Sequence, residues 1–218
     1  NIIFSSSATV YGDAGSGIIN EDFKIKPNNV YGKTKAKVEE LLLKKYKSSK
    51  NWNIINLRYF NPIGAHKSGL IGDNSSKEFN NLFPLLCKSA NNELDFIRIF
   101  GKDWDTRDGT CIRDFIHVVD IAKGHLSAVD FILNKKNIFL SINLGTAKGT
   151  TVLELVKIFE EATQKKINYI FVERRIGDVG SYIASNKLAK EKLNWSPQLS
   201  ILAMCIDGWK WYLKNKIN

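Results

Sequence analysis

An α/β fold with parallel strands is what the sequence predicts, on three observations. Short apolar, strand-like runs alternate with amphipathic helical segments along the whole chain, the pattern of βαβ units. The 218 residues are 44% hydrophobic, 25% charged and 11% aromatic, a globular composition that excludes a disordered or low-complexity chain. That length falls between one domain and two and supports a core without staples. The longest apolar stretches, such as Ile138-Phe139-Leu140, fall far short of the roughly 18 residues that a membrane span needs.

Residues 2–6 read as a buried strand. Residues 30–46 read as a helix whose apolar or stem-bearing positions are Ala36, Val38, Leu41, Leu42 and Tyr46. Residues 53–59 return as a strand, and Asn61-Pro62 is expected to stop its pairing because proline has no N–H to donate. A Gly/Ser/Asn-rich loop follows at 64–76, then a helix near 81–90, a strand at 94–100 and a polar turn at 101–109. Helix is expected at 119–133, strand at 139–144, and helix at 151–163, opened by a Thr151/Glu154 capping box. A strand at 168–172 and helices at 185–193 and 200–214 complete the chain. With no internal repeat and no linker, the expectation is two interleaved lobes around one cleft.

A net charge of +10 and a pI near 9.4 admit an anionic partner. Yet the basic residues are 26 Lys and only 6 Arg, and Asn reaches 21, an enrichment spread through the chain rather than gathered in a patch. Runs such as Lys44-Lys45-Tyr46-Lys47 read as solvated helix faces, and no recognition motif accompanies them, so no nucleic-acid partner is expected. The scarce arginines are more telling, because Arg58, Arg113, Arg174 and Arg175 fall inside motifs. Cys87, Cys111 and Cys205 are odd in number and far apart, which fits a reducing, cytoplasmic compartment. Together with His66, His117 and His125 they make no metal-ligand spacing, so no metal is expected. The chain opens at Asn1-Ile2-Ile3-Phe4, inside a strand and without Met, and is expected to be the remainder of a longer protein.

Tyr31-Gly32-Lys33-Thr34-Lys35 carries the strongest chemical signal. Tyr31 and Lys35 stand four apart and project from one helix face. A free tyrosine is only about 0.1% ionised at neutral pH, and an adjacent ammonium favours the phenolate, so the pair makes a usable base. Ser7 lies at the carboxyl end of the first strand, where an open α/β sheet places its ligands, and can share a proton between a substrate hydroxyl and the tyrosine. The plainer alternative is a surface Tyr–Lys pair beside an N-capping serine.

Ser5-Ser6-Ser7-Ala8-Thr9-Val10-Tyr11-Gly12, the Tyr31–Lys35 helix and Arg58-Tyr59-Phe60-Asn61-Pro62 resemble the extended short-chain dehydrogenase/reductase family. With Gly64-Ala65-His66, Asp108-Gly109-Thr110, Arg113-Asp114-Phe115-Ile116-His117-Val118, Asn143-Leu144-Gly145 and Arg174-Arg175-Ile176-Gly177-Asp178, the series is similar to the UDP-glucose 4-epimerases of that family, from Asn1 to about Trp211. Only the superfamily is marked by Y-x-x-x-K; the later motifs are far more specific. The resemblance implies the remainder of a Rossmann-like parallel sheet (1–62 and about 111–145) interleaved with a smaller α/β sugar-nucleotide-binding lobe (about 63–110 and 146–218). It implies NAD as cofactor, UDP-glucose and UDP-galactose as substrates, and a homodimer through helices that include the one bearing Tyr31.

Carried onto this sequence, the resemblance makes Ser7, Tyr31 and Lys35 the catalytic trio, with these residues and Phe60 at the nicotinamide end of NAD. Asn61 would be a substrate-binding amide, and Asn81-Leu82 would begin the helix that meets the diphosphate. Arg98-Ile99-Phe100 would hold the uracil, partly through backbone groups, and Arg113 and Arg175 would clamp the diphosphate, which suits a planar, permanently charged fork. Asp178 would accept a ribose hydroxyl, and Tyr182 would wall the hexose pocket. Phe60 and Leu82 are equally readable as core residues. Arg58 reads as a buried ion-pair partner, His66 and His117 as structural histidines, Arg174 as solvent-facing or orienting its neighbour, and Trp209 and Trp211 as packing for the last helix.

The sequence departs from this pattern in lacking the G-x-x-G-x-x-G turn that cradles a dinucleotide pyrophosphate. Gly12-Asp13-Ala14-Gly15 and the glycines at 145–149 have the wrong spacing. Epimerising activity, with NAD as a bound catalyst, is therefore expected of a longer parent and not of this chain alone. A sister dehydratase would need a carboxylic acid beside the serine, where this sequence has Ala8-Thr9. The remaining alternatives are a non-catalytic sugar-nucleotide or NAD sensor and a basic nucleic-acid-binding protein.

Overall fold

The structure is a computed structural model that describes residues 1–15, 17–49, 51–73, 81–175 and 177–216. Strands β1 (Ile2–Ser7), β2 (Ile18–Ile19), β3 (Asn53–Tyr59), β4 (Asn61–Ile63), β5 (Ile97–Phe100), β6 (Ile112–Arg113) and β7 (Phe115–His117) precede β8 (Ile138–Leu144), β9 (Thr150–Thr151), β10 (Tyr169–Val172) and β11 (Ser181–Ala184). The helices are α1 (Val30–Ser48), α2 (Leu82–Ala90), α3 (Val118–Leu133), α4 (Val152–Thr163), α5 (Lys187–Leu193) and α6 (Ile201–Lys216). The mixed α/β class with parallel sheets is as expected.

The main sheet is parallel, in the order β1-β3-β8, with Ser7 opposite Tyr59 and Tyr59 opposite Leu144. Its middle strand β3 is buried without a break from Ile54 to Arg58, as a parallel strand covered on both faces must be. Side chains alternate across a strand, so Leu57 and Arg58 point to opposite faces. Ile55 and Leu57 pack with Ile121, Ala128 and Ile132 of α3. On the other face, Arg58 and Ser6 reach Glu39 of α1. The sheet is thus covered by α3 on one side and by α1 on the other.

A second core joins α2, α4, α6 and β5 through Leu86, Ile97, Ile99, Phe159 and Met204. There Phe159 meets Phe83 and Trp209 edge to face, and Trp209 stacks on Tyr212. Trp209 packs the last helix as expected, and Trp211 crowds Gly72, where a Cβ would come within 2.4 Å of the indole. Thr151 caps α4 in a complete capping box with Glu154. A third, small cluster of Ala8, Val10, Tyr11, Ile19, Phe60 and Ala184 fills the space behind β1.

Several expectations need correction. Asn61-Pro62 does not end pairing: Phe60 N still donates to Leu144 O, and Asn61 N then donates to Asp114 O, so the chain changes partner from β8 to β7. Proline is tolerated because, among the described residues, β4 belongs to a sheet of two strands and has β7 on one side only. Residues 181–184, just before the expected 185–193 helix, form β11, which lies between β2 and β6, and that helix starts only at Lys187. The strand expected from 94 begins at Ile97. On α1, Leu41 is exposed and the buried residues are Gly32 and Glu39, so a charged pair and not an apolar face seats the middle of this helix. Part of the expected 64–76 loop, from 74 on, lies outside the described residues.

Candidate active site

Asn29 starts α1 by accepting a hydrogen bond from Gly32 N at 2.7 Å. Gly32 is glycine for a steric reason: a Cβ there would lie 2.5 Å from Thr9 O, in the 3-10 turn Ala8–Tyr11 that follows β1. This contact sets the helix bearing Tyr31 and Lys35 directly against the end of the strand bearing Ser7. Lys35 Nζ donates to Ser5 O at 2.9 Å and lies 5.5 Å from the centre of the Tyr31 ring. Ser7 Oγ accepts from Thr9 N at 3.3 Å and from Thr9 Oγ1 at 3.0 Å. The capping alternative for Ser7 therefore holds geometrically, yet both acceptor positions are filled by Thr9 and the hydroxyl proton remains available to donate. Tyr31 is exposed, and its ring lies outside the walls of the two cavities described next.

A cavity of about 740 Å³ is walled by Asn61, Asn81, Leu82, Arg98, Ile99, Phe100, Arg113, Arg175 and Asp178. A smaller one of about 170 Å³ adjoins it, bounded by Ser7, Tyr59, Phe60 and Tyr182, and Asn61, Arg113 and Asp178 line both. The ten residues expected to bind substrate therefore line one continuous cleft, with Ser7 and Phe60 at its narrow end. Ile99 is 1% exposed and packs in the second core, so its side chain is core at the wall of the cleft. Asn81 is the N-cap of α2 but makes no side-chain cap bond, which leaves its amide free for the cleft. Leu82 and Phe60 serve both readings, packing into a core while lining a cavity.

The cleft's polar groups differ in how firmly they are held. Arg113 donates to Ile112 O and Val179 O and pairs with Asp178 at 3.5 Å. Arg175 lies over the Phe100 ring, 3.7 Å from its centre, and Arg98 is exposed. Tyr182 donates to Ala8 O at 2.7 Å, its ring lies 5.5 Å from that of Phe60, and burial pushes its phenol well above the ordinary range. Tyr59 is hydrogen-bonded to Ser5 Oγ (2.8 Å) and His125 Nε2 (2.6 Å), and burial raises its phenol too.

Other motif residues build scaffold. Asp114 accepts from Thr146 N, Ala147 N and Ala184 N, and a Cβ on Gly145 would press 2.8 Å from its Oδ2, so Asp114 holds the turn that begins at Gly145. Burial raises the Asp114 carboxyl against these bonds. Asp108 binds Thr110 N and Oγ1 and the Thr151 hydroxyl. His117 accepts from Val119 N through Nδ1, leaving Nε2–H to donate to Asp207 at 3.3 Å; His66 bonds Ser68. Arg174 pairs with Asp103 and stacks on Trp104. The thiols of Cys87, Cys111 and Cys205 are free, buried and pushed upward by burial, that of Cys205 to about 12.

Arg58 is an ion-pair partner, as expected, but its partner Glu39 was not anticipated, nor were Tyr11 and Asn143 beyond it. A lone arginine on a buried strand was the available signal, since such a charge requires a counter-charge nearby.

Comparison with known proteins places these features in context. UDP-glucose 4-epimerase of Dictyostelium discoideum is 47% identical over 214 residues, 98% of this chain and 62% of that protein. The Bacillus subtilis enzyme of the same name is 42% identical, over 98% of this chain and 63% of its own length. Among solved structures, UDP-glucose 4-epimerase from Stenotrophomonas maltophila with bound NAD and formylated UDP-arabinopyranose superposes with a TM-score of 0.95 at 38% identity, covering 99% of this chain and 64% of that one. The Bifidobacterium longum epimerase in complex with NAD+ and UDP gives 0.91 at 42% identity, with coverage of 99% and 64%. This chain thus spans a little over three-fifths of the length of these relatives. The family model described as GDP-mannose 4,6 dehydratase matches residues 1–207, from the first strand into α6. By that match the chain belongs to the GDP-mannose 4,6 dehydratase family, and the relatives it is similar to here are named UDP-glucose 4-epimerase.

Proposed function

We propose that the protein to which this chain belongs interconverts UDP-glucose and UDP-galactose by transient oxidation at C4, with NAD as a bound catalyst. The observation that carries this reading is the single cleft. Its wide end offers Arg113 and Arg175 to a diphosphate and the Arg98–Phe100 stretch to a base, and its narrow end holds Ser7 and Tyr182. A volume of about 740 Å³ suits a nucleotide-sized ligand, and the related structures that hold NAD with UDP or a UDP-sugar support the assignment.

The donors near Ser7 fit the nicotinamide end of NAD: the Tyr31 and Ser7 hydroxyls and the Lys35 ammonium suit a ribose, and the Phe60 ring suits an apolar face. No residue of this sequence fits the pyrophosphate, because a Gly-rich turn is missing. When bound, NAD supplies the reversible two-electron acceptor that inversion at an unactivated carbon requires. Tyr31 takes the 4-hydroxyl proton, with the Lys35 ammonium 5.5 Å from the centre of its ring. Ser7, with Thr9 on both its lone pairs, keeps its own proton and donates a hydrogen bond to the developing oxyanion. Arg113 and Arg175 retain the diphosphate while the 4-keto sugar turns, so that re-reduction occurs on its other face. A 4,6-dehydration would need a carboxylic acid beside Ser7, where Ala8 is buried and the Thr9 hydroxyl is committed to Ser7.

We further read residues 1–62 and about 111–145 as part of the cofactor lobe, the rest as the sugar-nucleotide lobe, and the protein as a cytoplasmic homodimer. The exposed Leu41 on α1 supports a contact there, and no described helix is long and apolar enough to cross a membrane. The test is turnover of UDP-galactose by the full-length protein and its Tyr31→Phe variant. Turnover should fall about 10²–10⁴-fold with substrate binding nearly intact, and wild-type-like turnover in the variant would remove Tyr31 from the reaction. The 218-residue chain alone should neither retain NAD nor turn over.

A further inference from the structure

Glu39 takes part in none of these steps, yet it is only 7% exposed on a helix that is otherwise mostly wet. It follows Tyr31 and Lys35 at intervals of four residues, so the three side chains share one stripe of α1. Its carboxylate accepts three hydrogen bonds: Ser6 Oγ to Oε1 at 2.6 Å, Arg58 Nε to Oε1 at 3.0 Å, and Arg58 Nη2 to Oε2 at 2.6 Å. Arg58 Nη1 then donates to the Tyr11 oxygen at 2.8 Å, and the Tyr11 hydroxyl donates to Asn143 Oδ1 at 2.7 Å. Ser6, Arg58, Tyr11 and Asn143 are all at most 5% exposed.

The sequence neighbours of these groups matter. Ser6 precedes Ser7, Arg58 lies two residues before Phe60, and Tyr11 ends the turn that Ser7 caps. The three segments bearing Ser7, Tyr31 and Phe60 therefore converge on one carboxylate. A buried ion pair is a poor way to gain stability, since apolar side chains of similar volume hold a helix as well or better. A two-pronged guanidinium fork, in contrast, accepts a carboxylate in one orientation only. An apolar contact would let α1 slide or roll; this one does not.

We infer that Glu39, acting through Arg58 and Ser6, is a positioning residue that sets the register of Tyr31 and Lys35 against Ser7. The inference rests on the catalytic reading above. Displacing a reacting group by about 1 Å can cost 10²-fold in rate, which gives such a device its value.

The experiment uses the full-length, NAD-loaded protein with UDP-galactose. Glu39→Asp keeps the charge but shortens its reach by one methylene, and should lower kcat about 10- to 100-fold while KM stays within about threefold and NAD is retained. Ser6→Ala removes one bond without unpairing a charge, and should lower kcat about three- to tenfold at a near-wild-type Tm. Glu39→Leu with Arg58→Met replaces the pair by apolar groups; Tm should recover while kcat stays at least about tenfold low. A double variant with both Tm and kcat restored would reduce the pair to a fold element and overturn the proposal, as would unchanged kcat in both Glu39→Asp and Ser6→Ala. An inactive wild-type protein would instead overturn the catalytic reading beneath it.

Discussion

Arg58 and Arg175 carry the same guanidinium in two contrasting regions. Under α1, Arg58 is 5% exposed, with Glu39 across its fork and Tyr11 on its remaining edge. At the cleft mouth Arg175 is exposed, rests on the Phe100 ring, and has no carboxylate partner among the described residues. The first charge is spent inside the protein and can only organise it. The second is held ready by an apolar platform and keeps its donors for an anion arriving from solvent. Arg113, tied to Asp178 and two carbonyls but still lining both cavities, stands between the two.

Substitution should separate these uses. Arg58→Ala leaves Glu39 buried without its partner and should lose about 3–5 kcal/mol in chemical denaturation, the largest effect expected. Arg175→Ala should leave that denaturation curve unchanged and raise KM for UDP-galactose about 10- to 100-fold, the loss of charge-assisted bonds to one phosphate. If Arg175→Ala destabilised the fold instead, the contrast between the two arginines would collapse. Tyr182→Cys probes the narrow end: the ring is tethered at Ala8 O and against Phe60, so it cannot swing aside for a larger sugar. Removing it should improve the kcat/KM ratio for N-acetylated over plain UDP-hexoses by about tenfold to a few hundredfold. Comparable kcat/KM for both sugars in the unmutated protein would refute the steric argument.

The smallest effect concerns a histidine away from both regions. Burial holds the His117 imidazole below its usual range, with Asp207 opposing, so the unfolded chain binds this proton more readily than the folded one. Stability should therefore rise with pH between the lowered folded value and about 6.5, and decline on acidification through that window. In His117→Gln the slope should be shallower there, read from denaturation midpoints at several pH values.

What could be read from the sequence divides along physical lines. Helices such as α3 and α4 and the strands β3 and β8 were legible because they are long enough for periodicity, caps and apolar runs to register. Strands β2, β6 and β9, of two residues each, carry no period at all; they exist because tertiary packing brings their backbones together. The cleft residues were legible through the resemblance, which carried roles onto motif positions such as Asn61, Arg113 and Arg175 and onto Asn81, Arg98 and Tyr182 outside the quoted motifs. The same motifs held Asp108, Asp114 and Gly145, whose work is to shape turns, and nothing in a motif separates the two roles. Glu39 was hidden for the opposite reason. In Lys37-Val38-Glu39-Glu40 it looks like any helix-surface acid, and its neighbour Glu40 is one, paired with Lys37 and Lys44 in solvent.

Finally, β1 is hydrogen-bonded to β3 alone among the described residues, whereas β3 has a strand on each side. Alternate backbone N–H groups of β1 consequently point away from any partner strand. Deuterium uptake followed amide by amide should trace a sawtooth along β1, fast and slow in turn, and uniform slowness along β3. A further strand laid against that edge would erase the sawtooth, which makes β1 a built-in reporter of whether the sheet has been extended.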